Sequence, residues 1–262
     1  MSGRLKALGI GFSVATGRTI HGAEVVTRRL ASVGARLPPM ITYNGAVVFL
    51  GQHSSLIFRR VIDRKAFEAV ILHCRSAGLR TLAYACGVGF GFSPRESVYV
   101  EGAVSIEHES NGMRVQTVNN ILEIDDDFVA VLIESHNLGD GAPFARSLLD
   151  ASRGSLRVTR SGNQYLEVCH PMGTKLCAMN ELARMTKIGL DEIMAIGNSF
   201  NDLEMIEGAG VGIAVANAPV EVQAAATRTS TRPGAAGVVE ALRVLTRSMR
   251  SMRSLGHTNV VI

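Results

Sequence analysis

The chain contains no tryptophan and no run of about 20 apolar residues, the length a membrane-spanning helix requires. Its opening residues, MSGRLKALG, lack the apolar core of a secretory signal. The four cysteines, Cys74, Cys86, Cys169 and Cys177, include no C-x-x-C pair, and Cys169-His170 with Cys177 does not have zinc-site spacing. A reducing, cytoplasmic setting is the expectation. Charge of one sign is scarce too: 27 basic against 23 acidic residues leave a net charge of +4. That excess is too small and too scattered to argue for a nucleic-acid partner, and no membrane partner is expected. The one basic cluster, Arg243 to Arg253, reads as a solvated helix end or a frayed terminus. There is no internal repeat and no low-complexity segment. No acidic residue occurs before Glu24.

What is present is a 262-residue chain, 47% hydrophobic, with enough apolar residues for one large domain or two smaller ones. Ile10, Phe12 and Val14 alternate as in a strand, and the polar turn Ala15-Thr16-Gly17-Arg18 follows. Ile20, Ala23, Val26, Leu30 and Val33 mark a helix that Gly34 stops. Met40 to Tyr43 reads as the next strand, ending in Asn44-Gly45, and Ala46–Phe49 with Leu56–Arg59 reads as a hairpin. From Asp63 the pattern changes. Asp63 suits the cap of a helix whose apolar face is Phe67, Val70, Ile71 and Cys74, closed by Gly78. Leu79–Ala85, Phe128–Ile133, Leu156–Thr159 and Tyr165–Val168 read as strands, the last two bracketing the hairpin signal Ser161-Gly162-Asn163. The glycine-rich stretch Gly87–Phe92 departs from G-x-G-x-x-G and reads as strand or loop, and 95–127 reads as polar loop or helix end. After Pro171 the strand–helix alternation returns, with helices opening at Lys175, Asn201 and Pro219 and a last one over 234–247. The expected fold class is therefore α/β. The flanks 1–61 and 170–262 make one doubly wound parallel sheet with helices on both faces, and 62–167 forms a small inserted α/β cap domain.

The stretch Met194 to Ile206 has the strongest chemical content. A short apolar run ends in Gly197-Asn198, and Ser199-Phe200-Asn201-Asp202 then opens a helix. In open α/β sheets ligands bind outside the carboxyl ends of the strands, where such turns lie. Asn198, Asn201 and Asp202 crowd oxygen ligands there, as a hard cation such as Mg²⁺ requires. The same residues also read as an ordinary Asn/Asp-rich turn with Asp202 as a helix-start charge.

Other polar residues sit at other strand ends: Thr16-Gly17-Arg18, Asn44 and Lys175. Each has a plain reading, as a turn residue, a surface charge or a solvated helix residue. Together, a hydroxyl, an ammonium and a carboxylate are what phosphoryl transfer needs. A cation and a lysine neutralise charge as it develops, while hydroxyl and guanidinium hold the phosphate by charge-assisted bonds.

Five blocks carry a resemblance: Val14-Ala15-Thr16-Gly17-Arg18; Thr42-Tyr43-Asn44-Gly45-Ala46; Gly173-Thr174-Lys175; Gly197 through Met205; and Ala209 through Ala218. In these the chain resembles the haloacid dehalogenase superfamily of hydrolases, Cof-like subfamily, with the class IIB cap, over almost its whole length. The resemblance implies a doubly wound core, a substrate-selecting cap, and Mg²⁺-dependent removal of phosphate from small phosphorylated metabolites, often sugar phosphates. By position it implies that Thr16 binds phosphate and that Lys175 pairs with nucleophile and phosphate. Asn198 and Asp202 stand where relatives hold the metal. Arg18 and Asn44, with Gly17 and Asn201, fall among substrate contacts.

Two departures matter. The D-x-D-G-T motif, whose first aspartate is the nucleophile and whose second is the general acid/base, is absent. Only fifteen residues precede Thr16, and none is acidic. The second departure is Asn198, where relatives carry aspartate; an amide oxygen ligates Mg²⁺ but brings no charge. Two expectations follow. Either the gene product is longer and Met1 is not its start, or the chain is a degenerate relative, such as a phospho-ligand binder without turnover. A plain interaction protein using the cap is a third, distant class.

Overall fold

The computed structural model describes residues 7–32, 38–50, 55–89, 94–102, 113, 115–135, 141–161 and 165–254. The chain divides into two compact units. One comprises Met1–Ala15, Leu30–Pro39 and Thr174–Ile262, and the other Thr16–Arg29 and Met40–Gly173.

The first unit contains strand β1 (Val14–Ala15). The alternation through Ile10 and Phe12 governs burial rather than strand length. Leu8 and Ile10 are buried, with Phe12, Leu242 and Leu245 packed against them, but only Val14 and Ala15 are strand residues. Three strands of this unit, β11 (Met194–Gly197), β12 (Val211–Ala214) and β13 (Arg228–Thr229), form a parallel sheet in that order. Side chains alternate across it. Met194 and Ile196 face Ala241, Leu242 and Leu245 of the last helix, Gly234–Ser254. Ala195, on the opposite face, packs with Leu176 and Met179 of helix Lys175–Thr186 and with Met205 of helix Leu203–Gly208. The sheet is thus covered on both faces, as a parallel sheet must be. Among the described residues β11 pairs on one side only, with β12. Among the described residues the strands of the N-terminal flank lie in a ladder separate from that of β11.

The second unit holds most of helix α1 (Ile20–Ser32) and the strands β2 (Pro39–Thr42), β3 (Val47–Leu50) and β4 (Ser55–Arg59), the last two an antiparallel hairpin. Helix α2 (Arg64–Ser76) starts where the sequence marks it: the Asp63 carboxylate accepts from the N–H groups of Lys65 and Ala66. Gly78 takes a positive φ of 64° just past its end. The main sheet runs β7-β6-β5-β8-β10-β9. These strands are β5 (Thr81–Val88), β6 (Pro94–Glu101), β7 (Val115–Val118), β8 (Phe128–Glu134), β9 (Arg157–Ser161) and β10 (Tyr165–Cys169). The β9–β10 pair is antiparallel, although its turn, 162–164, lies outside the described residues, as do 90–92 of the glycine-rich stretch. Strands β6 and β7 replace the expected polar loop. Pro94-Arg-Glu-Ser-Val-Tyr-Val-Glu is largely polar, and only Val98 and Val100 are fully buried, so its apolar signal is two residues long. Helix α3 (Ala142–Ala151) packs with α2 against this sheet.

The core of this unit centres on Phe67, which is 0% exposed and stacks on Phe128 with ring centroids 4.0 Å apart and planes 6° from parallel. Truncating it removes the ring and leaves a cavity. Phe67→Ala is expected to cost about 3–5 kcal/mol, read as a lowered urea midpoint of this unit. Leu72→Ala, on the exposed face of the same helix, is the control and should change the midpoint little.

Candidate functional site

Strand β11 delivers the chain to Gly197, and the turn Asn198–Asp202 follows. Helix α4 (Lys175–Thr186) opens with Thr174 as its cap, the Thr174 Oγ1 accepting from the Cys177 N–H at 3.0 Å. Helix α5 (Leu203–Gly208) packs beside α4 through Met205 and Leu176. This packing brings Lys175 Nζ to 2.6 Å from Asp202 Oδ1, with the two residues only 5% and 6% exposed. The other carboxylate oxygen, Asp202 Oδ2, accepts from the N–H groups of Asn198 at 2.9 Å and Ser199 at 3.1 Å. Gly197 makes the approach possible, because a Cβ there would lie 2.4 Å from Asp202 Cβ. Asn201 and the largely exposed Phe200 belong to the same turn, and Asn198 is exposed.

A hard dication needs carboxylate or other oxygen donors that are free to point at it, and Mg²⁺ ordinarily takes one or two carboxylates plus substrate oxygens. Here the turn supplies one carboxylate, with one oxygen in an ion pair and the other on two backbone N–H groups, plus neutral amides. Among the described residues there is no group of three His, Cys, Asp or Glu side chains able to hold a metal ion. The donor set as it stands does not fit Mg²⁺.

The remaining sequence-marked residues gather in the second unit. The Thr16 N–H donates to the Ile41 carbonyl at 2.8 Å, and the Arg18 N–H donates back to Thr16 Oγ1 at 3.1 Å, closing a tight turn. A second turn lies against the first. The Tyr43 N–H donates to the Arg18 carbonyl at 3.0 Å and the Asn44 N–H to the Thr16 carbonyl at 3.2 Å. Gly17 lets the two turns lie close, since a Cβ would meet Asn44 Oδ1 at 2.9 Å and push that side chain aside. Tyr43 and Asn44 both adopt the left-handed region, with φ of 48° and 53°. Such residues persist only where their surroundings hold them.

Two carboxylates that the sequence does not single out hold this pair. The Asn44 Nδ2 donates to Glu167 Oε2 at 2.8 Å, and the Tyr43 hydroxyl donates to Glu96 Oε1 at 2.5 Å. Glu167 sits on β10 among the buried residues Leu166, Val168 and Cys169. A charge inside a buried strand is a readable signal of a partner. Glu96 lies in the polar stretch of β6 and carries no such mark. Burial pushes the Glu96 carboxyl above its ordinary range, against the hydrogen bonds from Tyr43 and the backbone that favour its charged form. Lys175, Asn198, Asn201 and Asp202 are thus collected in one unit, and Thr16, Gly17, Arg18 and Asn44 in the other.

The sequence profile of the haloacid dehalogenase-like hydrolases matches residues 3–242. The chain belongs to this family. Solved structures share its fold. A haloacid dehalogenase-like hydrolase from Bacteroides thetaiotaomicron superposes with a TM-score of 0.76 at 24% identity, over 92% of this chain and 89% of that one. A subclass IIB sugar phosphatase of the superfamily gives 0.70 at 19% identity, over 93% and 89%. A haloacid dehalogenase-like hydrolase from B. subtilis gives 0.67 at 20%, over 87% and 85%. No curated protein sequence matches. No helix among the described residues is long and apolar enough to cross a membrane.

The buried pair of this family member can be tested by a double-mutant cycle. Removing one partner leaves a buried charge alone, so Lys175→Met or Asp202→Leu is expected to cost about 3–5 kcal/mol each. The double variant should recover a large part of that loss in urea denaturation. Additive losses would mean the two charges are solvated separately.

Proposed function

We propose that this member of the hydrolase family recognises small phosphorylated metabolites, sugar phosphates among them, and that the 262-residue chain binds them without turning them over. The observation that carries the reading is the turn Thr16-Gly17-Arg18. It presents a hydroxyl and a guanidinium at a point held by four backbone and side-chain hydrogen bonds. Hydroxyl and guanidinium are the groups that grip a phosphate. The similarity to a sugar phosphatase supports the same substrate class. On this reading 62–167 is the cap that selects the metabolite. The core is 1–61 with 170–262, and Asn44, beside the turn, contacts the rest of the substrate.

Hydrolysis by covalent phosphoryl transfer needs a carboxylate in line with phosphorus. Asp202 does not meet that need, because it is committed to Lys175 and two N–H groups. Both this and the poor donor set for Mg²⁺ favour a binder over a working phosphatase in the chain as it stands.

With p-nitrophenyl phosphate and a panel of sugar phosphates, the chain should show no Mg²⁺-dependent turnover above background. Inorganic phosphate should bind in calorimetry, at least about tenfold more weakly in Arg18→Ala, the loss of one charge-assisted bond. Saturable metal-dependent turnover would overturn the binder reading, and no phosphate binding would overturn the phosphate reading altogether. Asn198→Asp adds a second carboxylate beside Asp202 and should raise Mg²⁺ affinity in calorimetry. An unchanged affinity would show that residue 198 is not a ligand position.

A further inference from the structure

Helix α1 starts with backbone N–H groups for which its own residues provide no helical acceptor. Thr19 supplies the usual remedy for one of them, its Oγ1 accepting from the Gly22 N–H at 2.9 Å. The N–H groups of Ile20 and His21 are satisfied from far away in the chain. They donate at 2.7 and 2.8 Å to the two carboxylate oxygens of Glu96, on β6. The oxygen that serves Ile20 also accepts from the Tyr43 hydroxyl at 2.5 Å. Burial, and then the facing charge of Glu96, hold that hydroxyl well above its ordinary range, so it remains the donor.

Tyr43 is also the left-handed residue whose N–H donates to the Arg18 carbonyl. Its ring is buried edge-on against Tyr84 of β5, with centroids 6.0 Å apart. One carboxylate therefore grips the Thr16–Arg18 turn twice, at the helix start that follows it and at the tyrosine that lies against it. Thr19 serves only the Gly22 N–H, and Thr19 and Ile20 are buried, so Glu96 supplies the acceptors for Ile20 and His21; the bond from Tyr43 goes beyond what a helix cap needs. All of these groups belong to the same compact unit.

We propose that Glu96 is a positioning residue, which fixes the Thr16–Arg18 turn by holding the N–H groups of Ile20 and His21 and the Tyr43 hydroxyl together. What the turn binds rests on the phosphate reading above; its positioning does not. One consequence is chemical. The helix dipole and the first N–H groups of α1 are already committed to Glu96, so a bound anion is held by the turn and not by the helix start.

Amide hydrogen exchange with phosphate titration of the full chain tests this. In Glu96→Gln the amide oxygen takes the place that serves Ile20 and Tyr43, and its NH₂ group faces the His21 N–H. The His21 amide should then exchange about tenfold faster while Ile20 and Gly22 keep their protection. The Arg18 amide, bonded to Thr16 Oγ1, should accelerate with His21. In Glu96→Ala both Ile20 and His21 should accelerate together with Arg18. The amides of Val129 and Val131 in β8 report the fold; if they accelerate in the alanine variant, the isosteric glutamine variant decides. Faster exchange at His21 with Arg18 unchanged would reduce Glu96 to a helix cap and overturn the proposal. Inorganic phosphate should shift the Gly17 and Arg18 amides of the wild type, with about tenfold weaker affinity in Glu96→Gln. Equal affinities would also overturn it. A wild type with no phosphate-induced shift would remove the phosphate reading and leave the exchange contrast to decide Glu96.

Discussion

The ion pair between Lys175 and Asp202 ties together the elements of the first unit. Each residue is drawn from a different helix start, and both are almost fully buried. A buried pair adds little net stability against an apolar alternative, but it tolerates no half measures, because either charge alone is costly. Its geometry depends on Gly197, on Thr174 opening α4, and on Leu176 and Met205 packing α4 to α5. The parallel register of β11 with β12 in turn fixes where the Asn198 turn begins. Asp202 is therefore as much a structural keystone as a chemical group, and its two oxygens are fully occupied in that task.

The second unit meets a different constraint. Tyr43 and Asn44 are side by side in a backbone region that non-glycine residues rarely adopt, at a cost of order 1–3 kcal/mol each. The strain is held by bonds of long sequence separation. Glu96 and Glu167 come from β6 and β10, on opposite sides of the central strands of one sheet. The Thr16–Arg18 turn and its neighbours are thus shaped by residues far away in the chain.

Local features were legible in the sequence, and distant ones were not. Asp63 and Gly78 bound helix α2 by capping and left-handed geometry, which are properties of a few neighbouring residues. Lys175 and Asp202 stand out because strand–turn–helix signals place both at strand ends, and the structure sets them 2.6 Å apart. Strands β6 and β7 were hidden because their burial comes from the sheet beside them rather than from apolar composition. Alternation specifies faces and not neighbours, so which strands share a ladder is not legible from periodicity. Glu96 was invisible for the same reason: its partners, Ile20, His21 and Tyr43, are brought to it only by the fold.

The bond from Asn44 to Glu167 has a consequence for polarity. An asparagine amide is ordinarily ambivalent, since it flips to offer oxygen or nitrogen at little cost. A carboxylate accepts only, so Glu167 admits one orientation and locks the flip. The Asn44 nitrogen is turned to β10, and its oxygen is turned to Gly17. The polarity that Gly17 faces is therefore set by a carboxylate 123 residues away from Asn44 in the chain.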